Sequence, residues 1–134
     1  LSGQKEGTAS LSVKGRTIPV PRAGNGAARF SFSDLLERPL GAQDYLALAR
    51  RFHTVIVENV PAMDVSNRNE AKRLINLVDT FYDGRRRLIL SAEVPAKSLY
   101  TAPSGTERFE FDRTVSRLFE MRSEDYFSHD KGEG

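Results

Sequence analysis

The chain has 134 residues, which is enough for one domain with a single hydrophobic core. Its 20 basic and 18 acidic side chains leave a formal net charge of +2. That excess is smaller than a nucleic-acid-binding module usually carries. The absence of cysteine excludes disulfides and thiolate metal sites. No apolar run approaches the roughly 18 residues typical of a membrane span.

Both ends of the chain are small and polar. We expect disordered tails at residues 1–8 and 128–134, flanking a single α/β domain at 9–127. The first ten residues lack the apolar core of a signal peptide. Because the chain begins with Leu1 rather than Met, we expect it to be a fragment.

An antiparallel hairpin is predicted at the start of the domain. Residues 9–20 alternate between apolar and polar side chains, and Gly15 supplies the turn between the two arms. Pro19 has no N–H to donate, so it predicts that the second arm is an edge strand. A loop is expected at 21–26, followed by a short strand at 28–32.

Two helices are predicted next. Ser33 can cap a short helix that starts at Asp34, and Pro39 breaks it. The second helix occupies 44–52. Its apolar residues recur at the spacing i, i+3, i+4 and i+7, which indicates a stripe that faces the core: Tyr45, Leu48, Ala49 and Phe52.

A strand, a helix and a second strand follow within about forty residues. The β-branched run at 54–60 is typical of a buried parallel strand, and the run at 87–92 has the same character. Between them, Ser66 can cap a long helix that Gly84 ends. This order predicts a βαβ unit with a right-handed crossover. The helix carries one apolar stripe: Ala71, Leu74, Ile75, Val78 and Phe81 or Tyr82.

The remaining segment contains a brief alternation of Phe109 and Phe111, for which we predict an extended stretch. Asp112 can then cap a last helix, with a short turn at 123–127. The predicted fold class is therefore α/β: a small, mainly parallel βαβ sheet with flanking helices and an N-terminal β-hairpin.

No phosphate-binding loop is present, because the sequence contains no Gly-Lys-Ser or Gly-Lys-Thr. Residues 24–29 begin like a dinucleotide-binding fingerprint, but Arg29 stands where the last glycine is needed. The segment also precedes a predicted strand instead of opening a helix. We therefore interpret it as a turn.

Polar residues end both strands of the predicted βαβ unit. Glu58 and Asn59 end the first strand, and Ser91 and Glu93 follow the second. Ligand sites in parallel sheets gather at such carboxyl ends. We interpret the four residues as ordinary strand ends, with a small-molecule site as the alternative. No metal site is predicted, because no pair of histidines has ligand spacing.

Basic side chains stand out in the last helix. Arg113 and Arg117 are four residues apart and share one helix face, so their guanidinium groups can clamp a phosphate or a carboxylate. The alternative is a pair of ion pairs, Arg117 with Glu120 and Arg113 with Asp79 or Asp83. Residue types alone favour the ion pairs.

Four segments, in this order, resemble the C-terminal region of the ZapE-like ATPases, which are AAA+-related P-loop proteins called lactation-elevated ATPases in animals. The resemblance covers about residues 15–127. The segments are FSFSDLLERPLGAQDYLALARRFHTVIVENVPAM, NRNEAKRLINLVDTFYD, LILSAEVPAKSLY and FEFDRTVSRLFEMRSEDYF.

The resemblance implies a parent protein that binds and hydrolyses ATP with Mg²⁺, with the Walker A and Walker B motifs upstream of the matched region. This chain alone is then a non-catalytic C-terminal domain without ATPase activity, and its first partner is the upstream ATPase core. Arg113 and Arg117 match the family pattern DRTxSRL, so the resemblance makes them candidates for nucleotide sensing or for an arginine finger.

The resemblance also implies a role in cell division and a client protein at the division ring or the membrane. The expected location is the bacterial cytoplasm, at most peripheral to the inner membrane, with the mitochondrion as the alternative. The rival interpretation of function is an autonomous protein-binding module that uses the carboxyl edge of the sheet or the hairpin.

Overall fold

The computed structural model describes residues 7–101 and 105–121. Within these residues, one sheet contains five strands in the order β1-β2-β3-β4-β5: Gly7–Val13, Arg16–Gly24, Ala27–Ser31, Thr54–Val60 and Arg87–Ala92. Four α-helices accompany it, α1 to α4: Phe32–Leu35, Ala42–Arg51, Arg68–Asp83 and Thr106–Met121. Two short 3₁₀ turns lie at Val65–Asn67 and Ala96–Ser98. The predicted α/β class is confirmed.

The sheet is mixed. Strands β1, β2 and β3 pair antiparallel, which confirms the N-terminal hairpin. Strands β3, β4 and β5 pair parallel, which confirms the βαβ unit. Because these three strands are consecutive neighbours, right-handed crossovers place α2 and α3 on the same face of the sheet, where the two helices contact each other.

One apolar core lies between this face and the helices. Alternate residues of the parallel strands point into it, among them Phe30, Val55, Val57 and Leu88. The predicted stripes of α2 and α3 supply the other side and are buried: Tyr45, Leu48, Ala49, Phe52, Ala71, Leu74, Ile75, Val78 and Phe81. None of the described helices is both long enough and apolar enough to cross a membrane.

The hairpin is longer than predicted. Strand β1 begins at Gly7, two residues inside the expected tail, and β2 continues to Gly24. The expected loop at 21–26 is therefore reduced to a tight turn. The pairing of β1 with β2 shifts by one residue between Gly7 and Ala9, and beyond this shift Gly7 still pairs with Ala23. Predictions for residues 1–6 and 122–134, including the turn at 123–127, lie outside the described residues.

The edge position predicted from Pro19 is wrong for the whole strand, since β2 lies between β1 and β3. Its pairing with β3 begins only at Arg22, while Pro19 pairs with Ser10 of β1. Among the strands that the structure describes, the segment that contains Pro19 therefore has a neighbour on one side only. A proline without an N–H is tolerated there for the same reason that it is tolerated at an edge.

Two helix caps differ from the prediction. Ser31, not Ser33, caps α1: the Asp34 N–H donates to the Ser31 hydroxyl at 3.1 Å, and the Ser31 N–H donates to the Asp34 carboxylate at 3.0 Å. Ser66 does not cap α3, because it lies in the preceding 3₁₀ turn, where the Asp64 carboxylate accepts the Ser66 N–H at 2.9 Å. α3 follows Asn67, which makes no side-chain capping hydrogen bond.

The extended stretch predicted at Phe109 and Phe111 is wrong, because α4 starts at Thr106. Only Phe111 is buried, and Phe109 is 81% exposed. The buried side of α4 follows a helical spacing that includes two polar residues, so an apolar pattern alone misses it. Its members are Glu107, Phe111, Thr114, Leu118 and Met121.

Strand β5 was predicted to be buried like β4, and this is wrong. β5 is the last strand of the described sheet. Leu88 is buried, but Ile89 is 42% exposed. An apolar run predicts that a segment forms a strand. Whether both faces of that strand are buried depends on which elements pack against them.

Candidate functional site

The polar residues at the carboxyl ends of β4 and β5 lie at one end of the sheet. The register pairs Leu90 with Val57 and Ala92 with Val60, with an irregularity between them. Ser91 is therefore level with the Glu58 and Asn59 pair, as the sequence predicted from the parallel order.

Three of these residues, Glu58, Asn59 and Glu93, have a local structural role, and Ser91 is exposed. Arg29 Nη1 donates to Glu58 Oε2 at 3.0 Å across the strand pair, and the Ala62 N–H donates to Glu93 Oε1 at 3.1 Å. Asn59 has a φ of 63°, so it occupies the left-handed region at the strand irregularity. The described residues contain no cluster of His, Cys, Asp and Glu able to hold a metal ion.

The glycine-rich segment at 24–29 is the turn between β2 and β3. Asn25 and Gly26 have φ values of 59° and 79°, which are typical of a two-residue hairpin turn. The His53 ring packs against this turn, with Nε2 3.1 Å from the Asn25 carbonyl oxygen. A Cβ on Gly26 would lie 2.7 Å from that ring, so the glycine permits the close contact.

The two candidate arginines converge on one carboxylate of the neighbouring helix. Arg113 Nη2 lies 3.1 Å from Asp79 Oδ2, and Arg117 Nη1 lies 2.5 Å from Asp79 Oδ1. The spacing of four residues puts both side chains on the face of α4 that meets α3. The predicted ion pair of Arg113 with Asp79 is present, whereas Arg117, for which Glu120 was the predicted partner, pairs with Asp79.

An aromatic ring completes this group, which we call the arginine cluster: Asp79, Tyr82, Arg113, Arg117 and Glu120. The Arg117 guanidinium lies 4.7 Å from the centre of the Tyr82 ring. The Tyr82 hydroxyl donates to Glu120 Oε1 at 2.8 Å, and this hydrogen bond raises the pKa of Tyr82. Arg117 is thereby held by an ion pair and by a cation–π contact.

The exposure of the cluster differs from one arginine to the other. The Arg113 side chain is 50% exposed and the Arg117 side chain 24%. Arg113 therefore keeps part of its planar fork open to solvent while Asp79 fixes its direction. Such a fork can receive an anionic oxygen from a phosphate or a carboxylate.

A second charged contact joins α3 to the start of α4, and the sequence analysis missed it. Glu107 is 8% exposed, and its carboxylate lies 3.4 Å from Arg68 Nε and 3.3 Å from Lys72 Nζ. A hydrogen bond from its own backbone N–H, together with Lys72 and Arg68, lowers the pKa of Glu107. Glu107 precedes Phe111 by four residues, so in a helix it lies on the same buried face, and this spacing could have identified it from the sequence.

Sequence comparisons place the chain among known proteins. The family model described as AFG1-like ATPase matches residues 1–130. The cell division protein ZapE of Escherichia coli K12 is 38% identical over 96% of this chain and 34% of its own length. Lactation elevated protein 1 homolog B of Danio rerio is 34% identical over 87% of this chain and 29% of its own length. The chain thus spans about a third of these relatives. No solved structure matches.

Proposed function

Because the chain belongs to the AFG1-like ATPase family, we propose that it is the non-catalytic C-terminal domain of an ATP-hydrolysing protein associated with cell division. Two observations support the proposal. The sequence has no phosphate-binding loop, and it accounts for about a third of the length of the relatives named above. ATP and Mg²⁺ are then bound by the remainder of the parent protein.

The proposal extends to Arg113 and Arg117, which match the family pattern DRTxSRL and both bind Asp79, while Arg113 stays 50% exposed. Asp79 orients both guanidinium groups, and the Tyr82 ring packs against that of Arg117. We propose that these arginines sense the nucleotide of the ATPase core or act as an arginine finger. Arginine fingers contribute about 10³–10⁵ in rate, because the guanidinium stabilises charge that develops during phosphoryl transfer.

The proposed partners follow from this role. The first is the upstream ATPase core of the same polypeptide, which would present the nucleotide to α4. The second is a client protein at the division ring or the membrane, since one relative is named a cell division protein. The proposed location is the bacterial cytoplasm, with the mitochondrion as the alternative.

The test measures ATP turnover and thermal unfolding of the full-length protein with Arg113→Ala or Arg117→Ala. We expect turnover to fall by up to about 10³-fold while the melting temperature barely changes. Lysine should not restore turnover, because it lacks the planar fork. Arg108→Ala is the matched control, since Arg108 lies on the same helix and pairs with Asp112, outside the cluster.

If both variants unfold early and the folded fraction turns over ATP at the normal rate, the arginines are structural and the sensing role is wrong. A separate measurement tests the non-catalytic assignment. The 134-residue chain alone should hydrolyse no ATP and bind nucleotide weakly at most. Saturable ATP binding at micromolar concentration would contradict that assignment.

A further inference from the structure

The outer edge of β5 carries backbone groups that pair with no strand of the described part of the chain. The Arg87 N–H donates to the His53 carbonyl oxygen at 2.9 Å, on the side where β4 lies. In a parallel ladder, alternate residues bond to the same neighbour, so the backbone groups of Leu88 and Leu90 point to the opposite side. No strand among the described residues pairs with them there.

An apolar groove runs along this edge, between β5 and the last turns of α4. Its volume is about 430 Å³. Leu88, Leu90 and Val94 line one side, and Leu118, Phe119 and Met121 line the other. The groove therefore combines a row of backbone donors and acceptors with apolar walls. Both are the features that bind an added β-strand, through its main chain and its alternate side chains.

Two large apolar side chains that line the groove are partly exposed. Ile89 is 42% exposed on β5, and Phe119 is 51% exposed on α4. Side chains alternate between the two faces of a sheet, so Ile89 lies on the face opposite Leu88 and Leu90, and a strand added at the edge would place its own side chains beside Ile89. An exposed apolar edge strand invites association, and proteins normally cover it.

We propose that this groove receives an extended strand with alternating apolar side chains, supplied by the ATP-binding part of the same polypeptide. The added strand pairs with Leu88 and Leu90 and extends the sheet beyond β5. The inference rests on the proposed function, which places an ATPase core in the same protein.

The length of the relatives favours this occupant. The matched relatives are about three times as long as this chain, so most of the parent polypeptide lies outside the described structure. A segment of the same polypeptide acts at an effective concentration that reaches the millimolar range for short connections. It therefore competes well against a second copy of this chain, which offers the same edge only at its bulk concentration.

The first experiment compares thiol labelling of two single-cysteine variants, Ile89→Cys and Phe109→Cys, in the full-length protein. Phe109 is the matched control, because it is 81% exposed and lies on α4 away from the groove. Labelling is quantified at the substituted position by peptide mass spectrometry. We expect residue 89 to react at least about tenfold more slowly, because a covered position must open before it reacts. Equal rates would overturn the proposal.

The second experiment identifies the occupant. A benzoylphenylalanine photo-cross-linker replaces Phe119 in a mixture of unlabelled and ¹⁵N-labelled full-length protein, with the same substitution at Phe109 as the control. We expect a cross-link to a segment outside the present 134 residues, within one polypeptide. Cross-links between light and heavy molecules, or protection of residue 89 that is lost on dilution, would indicate a second copy and overturn the proposal.

ATP turnover of the same full-length samples separates the two proposals. An intramolecular cross-link in a protein without ATPase activity supports strand docking and contradicts the proposed function. Normal ATP turnover together with rapid labelling of residue 89 supports the proposed function and contradicts strand docking.

Discussion

Helix α3 takes part in two regions that are stabilised by different forces. Towards the sheet it buries Leu74 and Val78 completely, among apolar neighbours. Towards α4 it presents Asp79, whose two arginine partners remain 24% and 50% exposed. Burial of apolar area contributes most to stability, while partly exposed ion pairs contribute little. The arginine cluster is therefore expected to contribute less to stability than the apolar face of α3.

The largest expected effect is in the apolar region. Leu74→Ala or Ile75→Ala should lower the free energy of unfolding by about 2–5 kcal/mol, because each removes buried methyl groups and leaves a cavity. Denaturant titration of the full chain measures the loss. Leu46→Ala is the control, since Leu46 is 41% exposed on α2 and should lose much less. A similar loss for Leu46 and Leu74 would remove the contrast between the two regions.

A smaller effect is expected in the arginine cluster. Arg113→Ala and Arg117→Ala should each change the free energy of unfolding by about 0–1 kcal/mol, the range of exposed ion pairs. Arg117 should lie at the upper end, because it is the more buried and also contacts the Tyr82 ring. The same denaturant titration measures both variants. A loss as large as that of Leu74→Ala would show that the cluster is part of the core.

The smallest effect is a dependence on pH. The pKa of Glu107 is lower in the folded protein than its ordinary value, because a hydrogen bond from its own backbone N–H and its contacts with Lys72 and Arg68 stabilise the charged form. That stabilisation is complete above the ordinary pKa and is lost as the pH falls through the lowered pKa. Glu107→Gln should remove this part of the acid sensitivity, measured as melting temperature against pH. An unchanged profile would mean that Glu107 does not link α3 to α4.

Comparison of β4 with β5 shows how far sequence patterns predicted the fold. Both runs are apolar and both are strands, as predicted. β4 lies between two strands, whereas β5 has one neighbouring strand within residues 7–101 and 105–121, and the residues of β5 do not encode that difference. The start of α4 was not predicted for a different reason. Its buried stripe contains the polar residues Glu107 and Thr114, so apolar spacing alone does not indicate the helix.

For the candidate site, the sequence by itself determined that Arg113 and Arg117 share a helix face and that no phosphate loop exists. Helical spacing and short motifs are local properties, so residues close in the chain suffice to predict them. Only the tertiary structure decided that both arginines bind Asp79, 34 and 38 residues away, and that Tyr82 packs against Arg117. It also decided that β5 borders a groove. Those contacts depend on which helices and strands become neighbours, and the packing of the whole core determines that arrangement.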